Sequence, residues 1–186
     1  TGAEPLHDAA VVIRQGLVAA AGPSAEVEIP AGVRVVDLDG ATILPGFINA
    51  HVHGGYDQER LRAWAHAGVT TVRDLGADPR RPLFAIRDSL RRDPRCAWLV
   101  AAGPIMTVPG GYPMVPWSSS SGLAVTGAAD AREKTERLLD DGADLIKIAV
   151  ESGSSFGLSI PVLSPAETRA IVEAAHARGA LVSAHV

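Results

Sequence analysis

Apolar positions along the chain change their rhythm at Pro45. Before it they come in short runs separated by turn residues: Ala10 to Arg14, Leu17 to Ala21 across a Gln15-Gly16 turn, Val33 to Leu38, and Ala41 to Leu44. Runs this short, rich in Val, Ile and Leu, predict strands, so residues 1–44 read as a small β module. After Pro45-Gly46, β-branched runs alternate with helix-length stretches, which calls for a parallel sheet covered by helices.

The alternation is carried by a unit that occurs three times: a helix, a glycine, then a β-branched run ending in a polar residue. It reads His66-Ala-Gly68-Val-Thr-Thr-Val-Arg-Asp74, then Asp141-Gly142-Ala-Asp-Leu-Ile-Lys147-Ile, then Arg178-Gly179-Ala-Leu-Val-Ser-Ala-His185. Each glycine falls where a helix ends in the left-handed conformation. Ser164-Pro-Ala-Glu167 has the form of a capping box with Pro in the first turn, and Asp130-Ala-Arg-Glu133 has a similar cap spacing. With Phe47 to His53 and Cys96 to Ala102 added, five strands are predicted after Pro45. They suit either an open doubly wound sheet or part of a closed barrel, and in both the strands' C-terminal ends gather function. The first strand is followed by Gly54-Gly55 rather than a phosphate-binding Gly-x-Gly-x-x-Gly, which favours the barrel. The barrel is partial, because a complete (β/α)8 barrel takes ~250 residues and the stretch after Pro45 holds about five βα units.

Composition narrows the partners. Of the 186 residues 47% are hydrophobic and 20% charged, as in a globular protein with a sizeable core. The longest apolar stretches, Ala97 to Ala102 and Ile43 to Ala50, fall well short of the ~20 residues of a membrane span. A net charge of −4 disfavours a nucleic-acid partner. Arg80, Arg81, Arg87, Arg91, Arg92 and Arg95, interspersed with Asp78, Asp88 and Asp93, read as a solvated helix face. The opening Thr1-Gly-Ala-Glu-Pro lacks a secretory pattern, and with a single Cys96 the expected location is the cytoplasm.

Three strand ends carry candidate chemistry. His51 and His53 alternate on one strand, so their imidazoles share a face, as in a metal chelate; a hydrogen-bonded core role is the alternative. Lys147 lies between isoleucines that face the helices if the lysine faces inward. Burial would then lower its pKa and leave a nucleophilic amine, whereas a lysine at a strand end can also snorkel to solvent. His185 ends another buried strand, with Ser183 on its face, and can equally be a bonded core histidine.

In order, Pro45-Gly46-Phe-Ile-Asn-Ala-His51-Val-His53, Ala67-Gly-Val-Thr-Thr-Val-Arg-Asp74, Gly142-Ala-Asp-Leu-Ile-Lys147-Ile and Val182-Ser-Ala-His185 resemble the amidohydrolase superfamily of metal-dependent hydrolases. Within it the resemblance is strongest to the N-terminal portion of the imidazolonepropionase-like and Xaa-Pro dipeptidase (prolidase) group. It implies part of a small composite β-sandwich (1–44) followed by the first five strands of a (β/α)8 barrel (45–186), with a metal centre at the barrel's C-terminal mouth. It also implies that His51 and His53 bind the more buried metal, that Lys147 is carboxylated and bridges to a second, and that His185 binds that second ion. The implied cofactor is one or two divalent metals, zinc suiting those ligands best. The implied reaction is hydrolysis of a C–N amide bond in a dipeptide, N-acyl amino acid or cyclic amide by metal-activated hydroxide.

The family's further histidine and its general-base aspartate have no counterpart up to Val186, so no catalytic residue is assigned. The chain is expected to be a portion of a longer hydrolase, not competent without the missing C-terminal half or another piece that supplies both groups; a homo-oligomer is the other expected partner, beside a small amide or dipeptide substrate. The alternative is a non-catalytic fragment or binding module that retains the ligands. Asp74 is expected beside the metal ligands in a supporting role. The segment Gly103 to Gly122 lacks periodicity and reads as a loop at the barrel mouth, with Tyr112 and Trp117 as candidate substrate contacts; relatives often carry Gly-Gly-His where this chain has Gly110-Gly111-Tyr112. Glu151, Ser152 and Ser154 are weaker candidates on a solvated loop.

Overall fold

A computed structural model describes residues 4–118 and 121–186. The chain divides into two compact units, Thr1–Pro45 and Gly46–Val186.

In the first unit, β1 (Ala9–Arg14) and β2 (Leu17–Pro23) pair antiparallel. Their link is the two-residue turn Gln15-Gly16, with positive φ at both positions (53° and 78°), the backbone whose twist matches a hairpin. The predicted strands at 33–38 and 41–44 do not form. A strand exists through its ladder of hydrogen bonds, and these stretches have no partner among the described residues; Val35, Val36 and Leu44 stand exposed.

The second unit holds two parallel sheets. One has the order β3-β4-β5, from β3 (Phe47–Val52), β4 (Val69–Asp74) and β5 (Trp98–Ala101). The other has the order β7-β6-β8-β9, from β6 (Ile105–Thr107), β7 (Gly122–Ala124), β8 (Ile146–Ala149) and β9 (Val182–His185). Asp144 joins them: its N–H donates to Ala101 O, and its carboxylate accepts from Ala101 N at 2.8 Å. Helices α1 (Gln58–His66), α2 (Leu83–Leu90), α3 (Gly127–Asp140) and α4 (Pro165–Ala177) fill the crossovers.

Each sheet is cemented to its helices by apolar packing. Val52, Val72 and Leu99 meet Leu61 and Leu83 in one cluster; Met106, Ile146 and Ile148 meet Ala131, Leu138, Ile171 and Ala175 in another. Because all these strands are parallel, their C-terminal ends share a side of each sheet. Register aligns Val52 with Asp74 and Ala149 with His185.

Three expectations are corrected. The stretch Gly103 to Gly122 contains β6 and ends in β7, strands of three residues that are too short to show a period of two. Helix α3 starts at Gly127, a turn before Asp130, with Thr126 at the N-cap position but making no side-chain cap bond; the Asp130 carboxylate reaches back to accept from Thr126 N at 2.7 Å. The basic segment is not wholly a solvated face, because Arg87 is buried and, with Arg91, pairs with Asp144. A buried guanidinium needs a carboxylate, and Asp144 comes from the bend before β8, 57 positions along the chain, beyond the reach of a local pattern.

Candidate metal centre

The candidate side chains come from three strand ends. Val52 packs into the helix-facing core, which turns His51 and His53 to the opposite face. Their rings meet edge to face, with centroids 5.3 Å apart. His53 Nδ1 lies 3.1 Å from Gly76 O. A carbonyl can only accept, so Nδ1 carries a proton in this contact, which leaves Nε2 as the lone-pair nitrogen of the neutral ring.

Lys147 sits on β8 between Ile146 and Ile148, both buried against helices. It is 1% exposed, and it makes no hydrogen bond or ion pair among the described residues. Burial, reinforced by the nearby positive charge of Arg73, lowers its pKa. The snorkelling alternative therefore fails.

His51 and His185 are both held below the ordinary imidazole pKa. For His51 the causes are burial first, then the charges of Lys147, His53, His185 and Arg73. For His185 burial again leads, followed by Lys147, with Glu151 acting in the opposite sense. The four candidates thus share one electrostatic neighbourhood. Among the described residues, however, no three His, Cys, Asp or Glu side chains converge on one point. The His185 ring lies instead against Tyr112, centroids 4.2 Å apart and nearly parallel.

Tyr112 reaches this position from the loop after β6 and also stacks on Phe156, at 6.3 Å, from the short 3-10 turn Ser154–Phe156. Trp117 is 66% exposed. The Glu151 carboxylate accepts from Gly153 N, and Ser152 O accepts from Ile160 N, so both residues shape the loop after β8. Asp74, at the end of β4, is fully buried and accepts from the N–H groups of Gly55 and Gly76. Burial raises its carboxyl pKa, and those two N–H groups pull the other way.

Two neighbours escaped the sequence reading. Arg73 alternates with the buried Val72, which places it on the histidine side of the sheet, and its Nε donates to Ala50 O at 2.7 Å. Period-two alternation could have found it. Phe156 stands in a loop without periodicity and gave no signal.

Residues 42–186 match the amidohydrolase family. An imidazolonepropionase of Porphyromonas gingivalis is 43% identical over 65 residues, 32% of this chain and 15% of that protein. A crystal structure of an amidohydrolase superposes with a TM-score of 0.75 at 25% identity, covering 95% of this chain and 51% of that one. A Bifidobacterium longum crystal structure, provisionally assigned as a prolidase, gives 0.67 at 29% identity, covering 91% and 42%. The chain spans about half the length of the first of these structures and a much smaller share of the curated relative. The architecture of residues 46–186 is that of a partial (β/α)8 barrel. A family match that takes in His51, His53, Lys147 and His185 together, and most of the molecule besides, leaves one conclusion: the chain belongs to the amidohydrolase family.

Proposed function

We propose that the protein is a metal-dependent amidohydrolase that cleaves a C–N amide bond, with His51, His53, Lys147 and His185 as its metal ligands. The observation that carries this reading is Lys147: it is 1% exposed, it makes no hydrogen bond or ion pair among the described residues, and burial together with the charge of Arg73 favours its uncharged form. Such a group is costly unless it is neutral or modified. An uncharged amine adds to carbon dioxide with loss of a proton, and the resulting carbamate is an anion with two oxygens. It would answer the positive charge of Arg73.

The donor set fits the implied ion. Imidazole nitrogens with carboxylate-type oxygens suit zinc, and His53, with Nδ1 turned to Gly76 O, has Nε2 as the ligand atom of its neutral ring. When bound there, a divalent ion supplies Lewis acidity, polarising an amide carbonyl and making water a stronger acid. The chain's own residues do the rest. Gly76 O orients His53, the isoleucines of β8 anchor the strand to its helices so that Lys147 faces the other side, and Tyr112 with Phe156 walls the side next to His185. Tyr112 is the favoured substrate contact and Trp117 a second. The imidazolonepropionase and prolidase relatives support a small cyclic amide or a prolyl dipeptide as substrate, and an N-acyl amino acid carries the same C–N amide bond. The lone, unpaired Cys96 suits a reducing cytoplasm.

A second reading, a non-catalytic chain that keeps the ligands, is favoured by the exposed apolar side chains Phe47, Ile48 and Leu181 on the outermost strands and their approaches. Hydrolysis assays on the complete gene product separate the two, using prolyl dipeptides, N-acyl amino acids and cyclic amides with added zinc and bicarbonate. Zinc-dependent turnover of one class is expected. Absence of turnover across the panel, with zinc bound, would leave the second reading.

A further inference from the structure

Asp74 is a buried carboxylate to which the proposed chemistry assigns no task. It ends β4 fully buried, and its oxygens are divided between two peptides: Oδ2 accepts from Gly55 N at 2.7 Å and Oδ1 from Gly76 N at 3.1 Å. Both peptides bear on one ring. Gly55 follows His53 by two residues, and Gly76 supplies the carbonyl that accepts from His53 Nδ1 at 3.1 Å.

The arrangement has no slack. A Cβ on Gly76 would stand 3.2 Å from His53 Cε1 and 2.8 Å from Ile105 Cδ1; one on Gly55 would stand 2.9 Å from Leu99 Cδ1 and 3.2 Å from Asp74 Oδ2. The two glycines thus let the backbone approach the carboxylate and the imidazole more closely than any other residue would allow.

We propose that Asp74 is a positioning residue: through the Gly55 and Gly76 peptides it fixes the orientation and the Nδ1–H tautomer of His53, so that Nε2 is presented as the ligand atom. A carboxylate meets the need because both of its neighbours are donors. Asparagine has one acceptor oxygen and would set its NH2 against an N–H, releasing one of the two turns. Indirect support of this kind holds many ligating histidines, and its loss typically weakens metal binding ~10- to 100-fold.

The consequence for metal binding rests on the ligand role proposed for His53, but the tautomer is readable without metal. The test uses the complete gene product with 15N-labelled histidine, metal-free, followed by long-range 1H–15N NMR and then Co2+ titration. Wild type is expected to show His53 as the Nδ1–H tautomer. Asp74→Asn is expected to shift it toward a mixture with Nε2–H and to weaken Co2+ binding about 10- to 100-fold, with a changed visible spectrum. A merely structural Asp74 would lower the melting temperature and leave tautomer and spectrum alone. The proposal is overturned by an Nε2–H tautomer in wild type, or by a folded Asp74→Asn with unchanged tautomer and Co2+ affinity. If Asp74→Asn does not fold, the wild-type tautomer and a Gly76→Ala variant, expected to displace the ring and alter the same signal, decide it. If wild type binds no Co2+, the metal centre fails while the tautomer comparison still decides the role of Asp74.

Discussion

Lys147 is the residue on which most depends, and its burial makes a prediction of unusual sign. Removing a buried polar group normally destabilises when it strands a partner, but Lys147 has none among the described residues. Lys147→Met, of similar length and apolar, is therefore expected to leave the metal-free protein as stable or to stabilise it by about 1–3 kcal/mol. It should also abolish any dependence of zinc affinity on bicarbonate. A thermal scan beside a zinc titration checks both; a lower melting temperature would show that the amine holds the fold together. Tyr112 separates wall from scaffold. Tyr112→Phe keeps the stack on His185 and Phe156, whereas Tyr112→Ala loses contacts worth about 1 kcal/mol. KM is expected to rise roughly 5-fold for the alanine variant and little for phenylalanine, in proportion to that loss; equal effects from both would instead assign the phenol hydroxyl a role. At this scale the sequence was legible where side chains alternate along strands, at His51, His53, Lys147 and His185. It was silent on Phe156 and on the stacking of Tyr112, because rings brought together by two loops leave no periodic trace.

At the scale of elements, one carboxylate links two helices. Glu167 completes the capping box of α4 with Ser164, whose hydroxyl donates to Oε2 at 2.7 Å, and its Oε1 accepts from Gly127 N, at the start of α3, at 2.7 Å. The capping box was written in Ser164-Pro-Ala-Glu167; the bond to α3 was not, since it spans 40 positions. The Ser164 and Gly127 groups hold the Glu167 carboxyl below its ordinary value of 4.5, Ser164 contributing most. A depressed folded pKa adds stability that is fully present above the unfolded value and is lost as pH falls through the folded one. Glu167→Gln should therefore lower stability at pH 7 by about 1–2 kcal/mol, and the gap to wild type should narrow as pH falls below 4.5 and through the depressed folded pKa. Denaturant midpoints for both proteins at a series of pH values test this, and a gap independent of pH would contradict it. The cap at α3 was misplaced by one turn for a related reason: Asp130 bonds Thr126 backwards, which a cap-spacing rule reads as a start.

For the whole molecule, the alternating pattern is enough to announce parallel βα units, whereas the apolar runs at 33–38 and 41–44 stay irregular because such a run needs a partner to become a strand. The outermost strands β3 and β9 carry an exposure that suggests association. Phe47 and Ile48 are 63% and 67% exposed, and Leu181, just before β9, is 68% exposed. Unpaired edges with apolar side chains recruit other chains. Residues 1–186 expressed alone are expected to self-associate at micromolar concentration in sedimentation analysis, and Phe47→Lys with Leu181→Lys to reduce it; a monomer throughout would refute the expectation. The central claim, that His51, His53, Lys147 and His185 hold metal, meets its most direct test in the zinc content of the complete gene product after reconstitution with zinc and bicarbonate. One or two ions per chain are predicted, with loss on substitution of Lys147 or of His51 and His53 together. A folded wild-type protein that retains no divalent ion would contradict the account.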